Sequence, residues 1–185
     1  MTKKTIALIV AAGRGRRFGG EGLAKQYHHW RGRPILYHSM QLLSALPIID
    51  AVMVVIDKQD EDLYGAVLAM VDKQAKIMPP CYGGASRQDS VYRGLLAMQD
   101  QSPDMVLIHD AARPALSAAL CARLMAALGE TAAAVPTLAV TSALKKVVGQ
   151  TIVGEVDRTT LAMAQTPQGF HYPALLSAHQ QQQGK

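Results

Sequence analysis

The chain has 185 residues, 49% hydrophobic and 18% charged, a profile of one soluble globular domain rather than a disordered chain. No apolar run approaches the ~20 residues that a membrane-spanning helix needs. The net charge of +5 raises nucleic-acid binding, but six basic residues (Arg14, Arg16, Arg17, Lys25, Arg31, Arg33) stand against Glu21 alone within one short window, a surplus equal to that of the whole chain, so a local anion site fits better than a broad nucleic-acid face.

Met1 to Ala12 imitates a secretory signal, with Lys3 and Lys4 ahead of an apolar stretch, yet it runs into Arg14, Arg16 and Arg17 where cleavage needs small neutral residues. Thr5 to Val10 instead predicts a strand buried on both faces of a parallel sheet. Ala51 to Ile56, Met105 to His109 and Ala132 to Pro136 repeat that pattern. Between them the apolar spacing predicts helices over Pro34 to Leu46, Asp60 to Val71, Ser86 to Met98 and Ser117 to Leu128, the first opening on proline. The alternation implies βαβ units with right-handed crossovers, and hence an α/β fold with an open three-layer α/β/α, Rossmann-like sheet.

The alternation stops after Pro136. Leu138 to Val140, Lys145 to Val148 and Thr151 to Val156, with Gly149-Gln150 as a turn, predict a projecting β-hairpin arm over residues 137–159 of a single domain spanning 1–185. A last helical pattern begins near Pro173 and dissolves into Gln180 to Gln183, Gly184 and Lys185, which reads as truncation or a fraying tail. Cys81 and Cys121 lack any CxxC or ligand spacing and read as buried thiols in a reducing cytoplasm.

The loop Ala11-Ala12-Gly13-Arg14-Gly15-Arg16-Arg17 follows the first strand. A glycine-rich strand-to-helix turn lets backbone N–H groups approach phosphates closely. It is not a P-loop, since Phe18-Gly19-Gly20 brings no lysine and hydroxyl; nor is it a dinucleotide fingerprint, since Phe18 stands where a third glycine belongs. On spacing alone, a solvated basic loop stays open beside a phosphate cradle.

The loop, followed by Lys25-Gln26-Tyr27, resembles the signature of sugar- and polyol-phosphate nucleotidyltransferases. Gly83-Gly84-Ala85-Ser86-Arg87-Gln88-Asp89-Ser90-Val91, His109-Asp110-Ala111-Ala112-Arg113-Pro114, Val156-Asp157-Arg158 and Thr166-Pro167-Gln168 follow in the order found in the 2-C-methyl-D-erythritol 4-phosphate cytidylyltransferase family. The resemblance implies transfer of CMP from CTP to a polyol phosphate with loss of pyrophosphate, Mg2+ on the triphosphate, and a cytoplasmic homodimer that binds neither nucleic acid nor membrane. Another enzyme of the same fold, such as a ribitol 5-phosphate cytidylyltransferase, is the nearer alternative; a noncatalytic nucleotide- or nucleic-acid-binding module is the remote one.

The resemblance also implies roles. Arg17 and Lys25 are transition-state cations, and Arg158 holds the acceptor's phosphate group across the dimer. Ala11, Ala12, Gly13, Gly15, Gly83, Gly84 and Ser90 bind the nucleotide, the last three reading cytosine. Asp110, Ala111, Arg113 and Thr166 face the second substrate, with Asp110 also the candidate metal ligand. Blander readings stand beside these: Ser86 as a helix cap, Asp110 as a strand-end cap, Asp157 as an ion-pair partner of Arg158, Thr-Pro as a strand terminator, and His109 as structural. Two departures from the family pattern stand out. Ser142-Ala143-Leu144-Lys145 occupies the arm where the family has an Asp-Thr pair, and a downstream lysine-bearing segment is missing. The expectation is that a longer native form exists, fused or not to a second enzyme, and that these 185 residues alone are impaired.

Overall fold

The computed structural model describes residues 3–13 and 22–182. The first half of the chain builds β1 (Thr5–Val10), the small hairpin β2 (His29–Trp30) and β3 (Arg33–Pro34), α1 (Ile35–Ala45), β4 (Ala51–Ile56), α2 (Glu61–Leu68), β5 (Cys81–Tyr82) and α3 (Arg87–Ala97). The second half adds β6 (Met105–Asp110), α4 (Ala118–Ala127), β7 (Ala133–Ala134), β8 (Thr137–Ala139), β9 (Leu144–Val148), β10 (Thr151–Val156), β11 (Ala162–Ala164), β12 (Gln168–His171) and α5 (Tyr172–Gln182).

Six strands form the main sheet in the order β5-β4-β1-β6-β12-β7. β1 lies between β4 and β6, parallel to both, with Val10 opposite Val55 on one side and Asp110 on the other. Alternation along β1 supplies both faces. Ala7 and Ile9 join Leu36, Met40 and Leu43 of α1, Tyr64 and Val67 of α2, and Cys121 and Leu124 of α4 in one core. Ile6 and Leu8 join Val91 and Leu95 of α3 and Tyr172 of α5 in the other. These two cores on opposite faces of one sheet make the expected three layers.

Local chemistry fixes the helix starts. Ser86 caps α3 in a capping box, its hydroxyl accepting from the Asp89 N–H while the Asp89 carboxylate accepts from the Ser86 N–H. Ser117 caps α4 by accepting from the Leu120 N–H at 3.2 Å. Pro34, expected inside the first turn of α1, is instead its N-cap and pairs with His29 across the small hairpin.

Three other expectations change. The sheet is not wholly parallel: β12 runs antiparallel between β6 and β7. The strand expected over Ala132 to Pro136 shrinks to Ala133–Ala134, because Pro136 cannot donate to a ladder. The last helix starts at Tyr172 and continues to Gln182; the Tyr172 hydroxyl ties it to α3 by donating to the Leu95 carbonyl at 2.9 Å.

The arm forms as a hairpin of β9 and β10 with Gly149 at φ 58° in the turn, over a base in which β8 pairs with β11. Val147, Val148, Ile152 and Val153 are exposed on it. Cys121 is buried but Cys81 is only partly so; both thiols are free, and burial pushes each up to about 11.

Candidate active site

Parallel strands bring the carboxyl ends of β1, β4 and β6 to one edge, where ligands bind in open α/β sheets. Ala11, Ala12 and Gly13 leave β1 there. The Ala11 N–H donates to the Val55 carbonyl at 2.7 Å, and the Ala111 N–H donates to the Val10 carbonyl at 3.1 Å, which fixes the roots of two motif loops to each other. The Ala11 carbonyl accepts from Gln26 Nε2 at 2.5 Å. Buried Gln26 and Tyr27 therefore pin the short 3-10 turn Lys25–Tyr27 beneath the loop and leave Lys25 at the surface. Arg14, Gly15, Arg16 and Arg17 lie outside the described residues.

Gly83 continues β5 by donating its N–H to the Ile56 carbonyl at 2.9 Å. A Cβ on it would lie 2.3 Å from the Ala12 Cβ and 2.8 Å from Ser90 Oγ, so the backbone there abuts the first loop. Gly84 is confined in the same way against Asp89. Ser90 is buried, accepts from the Gly84 N–H at 3.1 Å and donates to the Ser86 carbonyl at 2.9 Å. Its hydroxyl shapes the Gly83-Gly84 bend and keeps one acceptor lone pair for anything else.

Asp110 ends β6 between two guanidiniums. Arg87 donates through Nε and Nη2 to Oδ1 at 2.9 and 2.8 Å, and Arg113 Nε lies 3.4 Å from Oδ2. Arg113 also donates to Gln165 Oε1 at 2.8 Å. The carboxylate thus does not cap its own loop. Because these side chains are 30–50% exposed, the ion pairs contribute under about 1 kcal/mol to stability, and their effect is to hold two cations at the strand ends.

Arg87 was not among the residues picked out from the sequence, although a signal for it exists. An arginine directly after an N-cap serine opposes the helix dipole, which marks a nearby anion.

His109 and Thr166, neighbours in this network, are both buried. His109 Nε2 is 3.0 Å from the Arg113 carbonyl, its Nδ1 is 3.1 Å from Thr166 Oγ1, and the Asp110 N–H donates to that same Oγ1 at 3.3 Å. Burial pushes the imidazole down to about 4, so the ring is neutral at pH 7.

For a metal, the described residues offer no group of three or more His, Cys, Asp or Glu side chains. The single carboxylate of Asp110 suits a Mg2+ that brings most of its ligands as phosphate oxygens and water.

Arg158 stands apart from this cluster. Its Nη1 donates to the Thr141 carbonyl within the arm, and no hydrogen bond or ion pair from it reaches the strand-end residues. Asp157 does not pair with it; the carboxylate accepts from the N–H and hydroxyl of Thr159 at 2.9 and 2.7 Å, which hold it below its usual range. The guanidinium therefore keeps most of its donors. The structure brings Ala11, Ala12, Gly13, Gly83, Gly84, Ser90, Asp110, Ala111, Arg113 and Thr166 to one edge with Lys25 beside them, and leaves Arg158 on the arm.

The chain matches the family model described as IspD: 2-C-methyl-D-erythritol 4-phosphate cytidylyltransferase over residues 5–185. It is 49% identical over 181 residues to the bifunctional enzyme IspD/IspF of Rhodospirillum rubrum, a match covering 98% of this chain and 46% of that protein. The enzyme of the same name from Paramagnetospirillum magneticum is 44% identical over 176 residues, covering 95% and 44% of the two chains. The chain thus spans about half the length of the curated relatives it matches. Among solved structures, 4-diphosphocytidyl-2C-methyl-D-erythritol synthase from Anaerococcus prevotii superposes with a TM-score of 0.85 at 27% identity, over 100% of this chain and 77% of that one. No described helix is long and apolar enough to cross a membrane. With the five motifs in order, described residues of four of them gathered at one sheet edge and the family model matched over residues 5–185, the chain belongs to the 2-C-methyl-D-erythritol 4-phosphate cytidylyltransferase family.

Proposed function

We propose that this chain transfers CMP from CTP to 2-C-methyl-D-erythritol 4-phosphate, in the non-mevalonate route to isoprenoid precursors. A phosphate oxygen of the acceptor attacks the α-phosphorus of CTP, a new P–O bond forms, and the bond to the β-phosphate breaks to release pyrophosphate. The observation that carries this reading is the convergence of the Ala11–Gly13 loop, the Gly83-Gly84 bend and the Arg87–Asp110–Arg113 cluster on one edge. Two anions must meet, so cations and backbone donors already in place supply much of the rate. Lys25 and Arg17 stabilise charge developing on the triphosphate, Ala11 to Gly15 cradle it, and Gly83, Gly84 and Ser90 border the base. Asp110, Ala111, Arg113 and Thr166 orient the acceptor. Asp110 would hold, on the protein side, a Mg2+ brought by the triphosphate, and that ion would supply neutralisation of phosphate charge.

The reading extends to a cytoplasmic homodimer. It is supported by the exposed apolar residues Val147, Val148, Ile152 and Val153 on the arm and by the spare donors of Arg158, which would serve the partner's site. One observation favours a second reading: Ser142-Ala143 stands where the family's acceptor-touching pair belongs, which leaves ribitol 5-phosphate as an alternative acceptor. Pyrophosphate release from a panel of nucleoside triphosphates and phosphorylated acceptors is the test. CTP with 2-C-methyl-D-erythritol 4-phosphate is expected to exceed every other pair at least tenfold, and a better rate with ribitol 5-phosphate would replace the acceptor.

A further inference from the structure

The hydrogen bonds around His109 fix more than the position of a ring. The Arg113 carbonyl oxygen can only accept, so the Nε2 atom 3.0 Å away carries a proton and donates it. His109 is 1% exposed and its two ring partners, a carbonyl oxygen and a hydroxyl, carry no charge, so an imidazolium would lie buried and unpaired there. Nδ1 therefore presents a lone pair, and the hydroxyl 3.1 Å from it, that of Thr166, donates to it. The same oxygen accepts from the Asp110 N–H at 3.3 Å. A hydroxyl has one proton to give and two lone pairs to accept with. Here the proton and one lone pair are committed to the protein, and a single lone pair remains at the sheet edge beside Asp110.

An acceptor-only oxygen discriminates sharply between ligand groups. Phosphate oxygens are themselves acceptors at neutral pH and gain nothing from it, whereas an alcohol O–H can donate to it. We infer that His109 is a positioning residue: by holding the Nε2–H tautomer it makes Thr166 an obligate acceptor, which takes a hydroxyl of the polyol phosphate and turns phosphate oxygens away. This rests on the proposed function for the identity of the substrate, though not for the hydrogen-bond polarity. It assigns a task to a buried histidine that touches no substrate, and it directs Thr166 toward the polyol rather than toward the triphosphate.

Two substitutions separate the halves of the ring. His109→Gln can keep an amide donor for the Arg113 carbonyl but loses the acceptor for Thr166. His109→Asn places an amide oxygen near the Nδ1 position and loses the donor. In steady-state pyrophosphate release by the full chain, His109→Gln is expected to raise KM for the polyol phosphate about tenfold while KM for CTP stays within twofold. His109→Asn is expected to recover most of that loss. In a Thr166→Val background, adding His109→Gln is expected to change the acceptor KM less than twofold, because its effect passes through the hydroxyl already removed.

Equal losses in the Gln and Asn variants, or effects that multiply in the double variant, would overturn the inference in favour of a merely structural ring. The ring nitrogens of wild-type protein labelled with 15N-histidine decide the matter without any variant or turnover. A bare Nδ1 and a protonated Nε2 at pH 7 are expected, and a protonated Nδ1 overturns the inference. A wild-type chain with the expected tautomer that turns over no CTP would refute the proposed function while supporting the polarity assigned to Thr166.

Discussion

Replacing Gly83 with alanine adds one methyl group at the place where the first loop and the Gly83-Gly84 bend meet. That methyl would lie 2.3 Å from the Ala12 Cβ and 2.8 Å from Ser90 Oγ, whereas carbon atoms in contact rest near 3.5–4.0 Å. The backbones must separate by more than about 1 Å, since neither neighbour is the free end of a long side chain. Overpacking of this kind costs about 1–3 kcal/mol, or about 2–4 °C of Tm per kcal/mol in a chain of this size. A displacement of about 1 Å at a reacting site costs on the order of a hundredfold in rate. Gly65, in α2, is the control: its Cβ would meet nothing within 4 Å, so Gly65→Ala should stabilise by about 0.4–1 kcal/mol. Urea unfolding, calorimetric titration with CTP·Mg and pyrophosphate release measure the three quantities. If Gly83→Ala unfolds within about 0.5 kcal/mol of wild type and binds CTP unchanged, the close approach of the two loops is not what shapes the nucleotide site.

Two further substitutions probe the strand-end network. Arg87→Ala removes both donors to Asp110 Oδ1 from a half-exposed pair, so stability should change by less than about 1 kcal/mol while kcat/KM falls about 10- to 100-fold; a loss of stability without a loss of rate would make the arginine structural. His109 couples folding to pH. Its folded pKa of about 4 lies below the ordinary 6.5, so its contribution is complete above pH 6.5 and is lost as pH falls toward 4, when the unfolded chain takes up a proton that the folded one refuses. The loss amounts to about 3 kcal/mol. In urea unfolding at pH 7 and pH 4.5, the excess loss of wild type over His109→Gln isolates this group, and equal slopes in the two proteins would contradict the neutral buried ring.

The legible part of this fold is the part with periodic burial. β1, β4 and β6 are continuous apolar runs because helices cover both faces, and α3 and α4 carry both a 3.6-residue period and a serine cap. β12 had no comparable signal. Gln168-Gly169-Phe170-His171 is four residues with a glycine inside, and it becomes a strand only because β6 and β7 offer ladders on both sides. β11, Ala162-Met163-Ala164, has no β-branched residue and is defined by its pairing with β8. In the site, the glycine positions were readable because close backbone approach demands them. The polarity of the Arg87–Asp110–Arg113 cluster was not, because three residues from two distant motifs create it.

The antiparallel strand also explains how the arm is delivered to the site. The parallel strands β1, β4 and β6 finish at the carboxyl edge, and β7, antiparallel to β12, finishes there too, so the chain leaves for the arm from that edge. β12 runs the other way and must begin at the same edge, so the returning chain passes through Gln165-Thr166-Pro167 beside Asp110. Both roots of the arm therefore flank the site while its hairpin projects away. The hairpin's apolar residues are exposed in this chain and add little to its core. Replacing residues 143–157 by a short Gly-Ser linker closes a surface loop at modest entropic cost and leaves the β8–β11 base intact. Such a variant should keep Tm within a few degrees of wild type and CTP affinity within about threefold, while losing self-association and at least a hundredfold in turnover. Monomeric protein in light scattering with turnover intact would show that each site is complete within its own chain, and that the guanidinium of Arg158 does not act across a dimer.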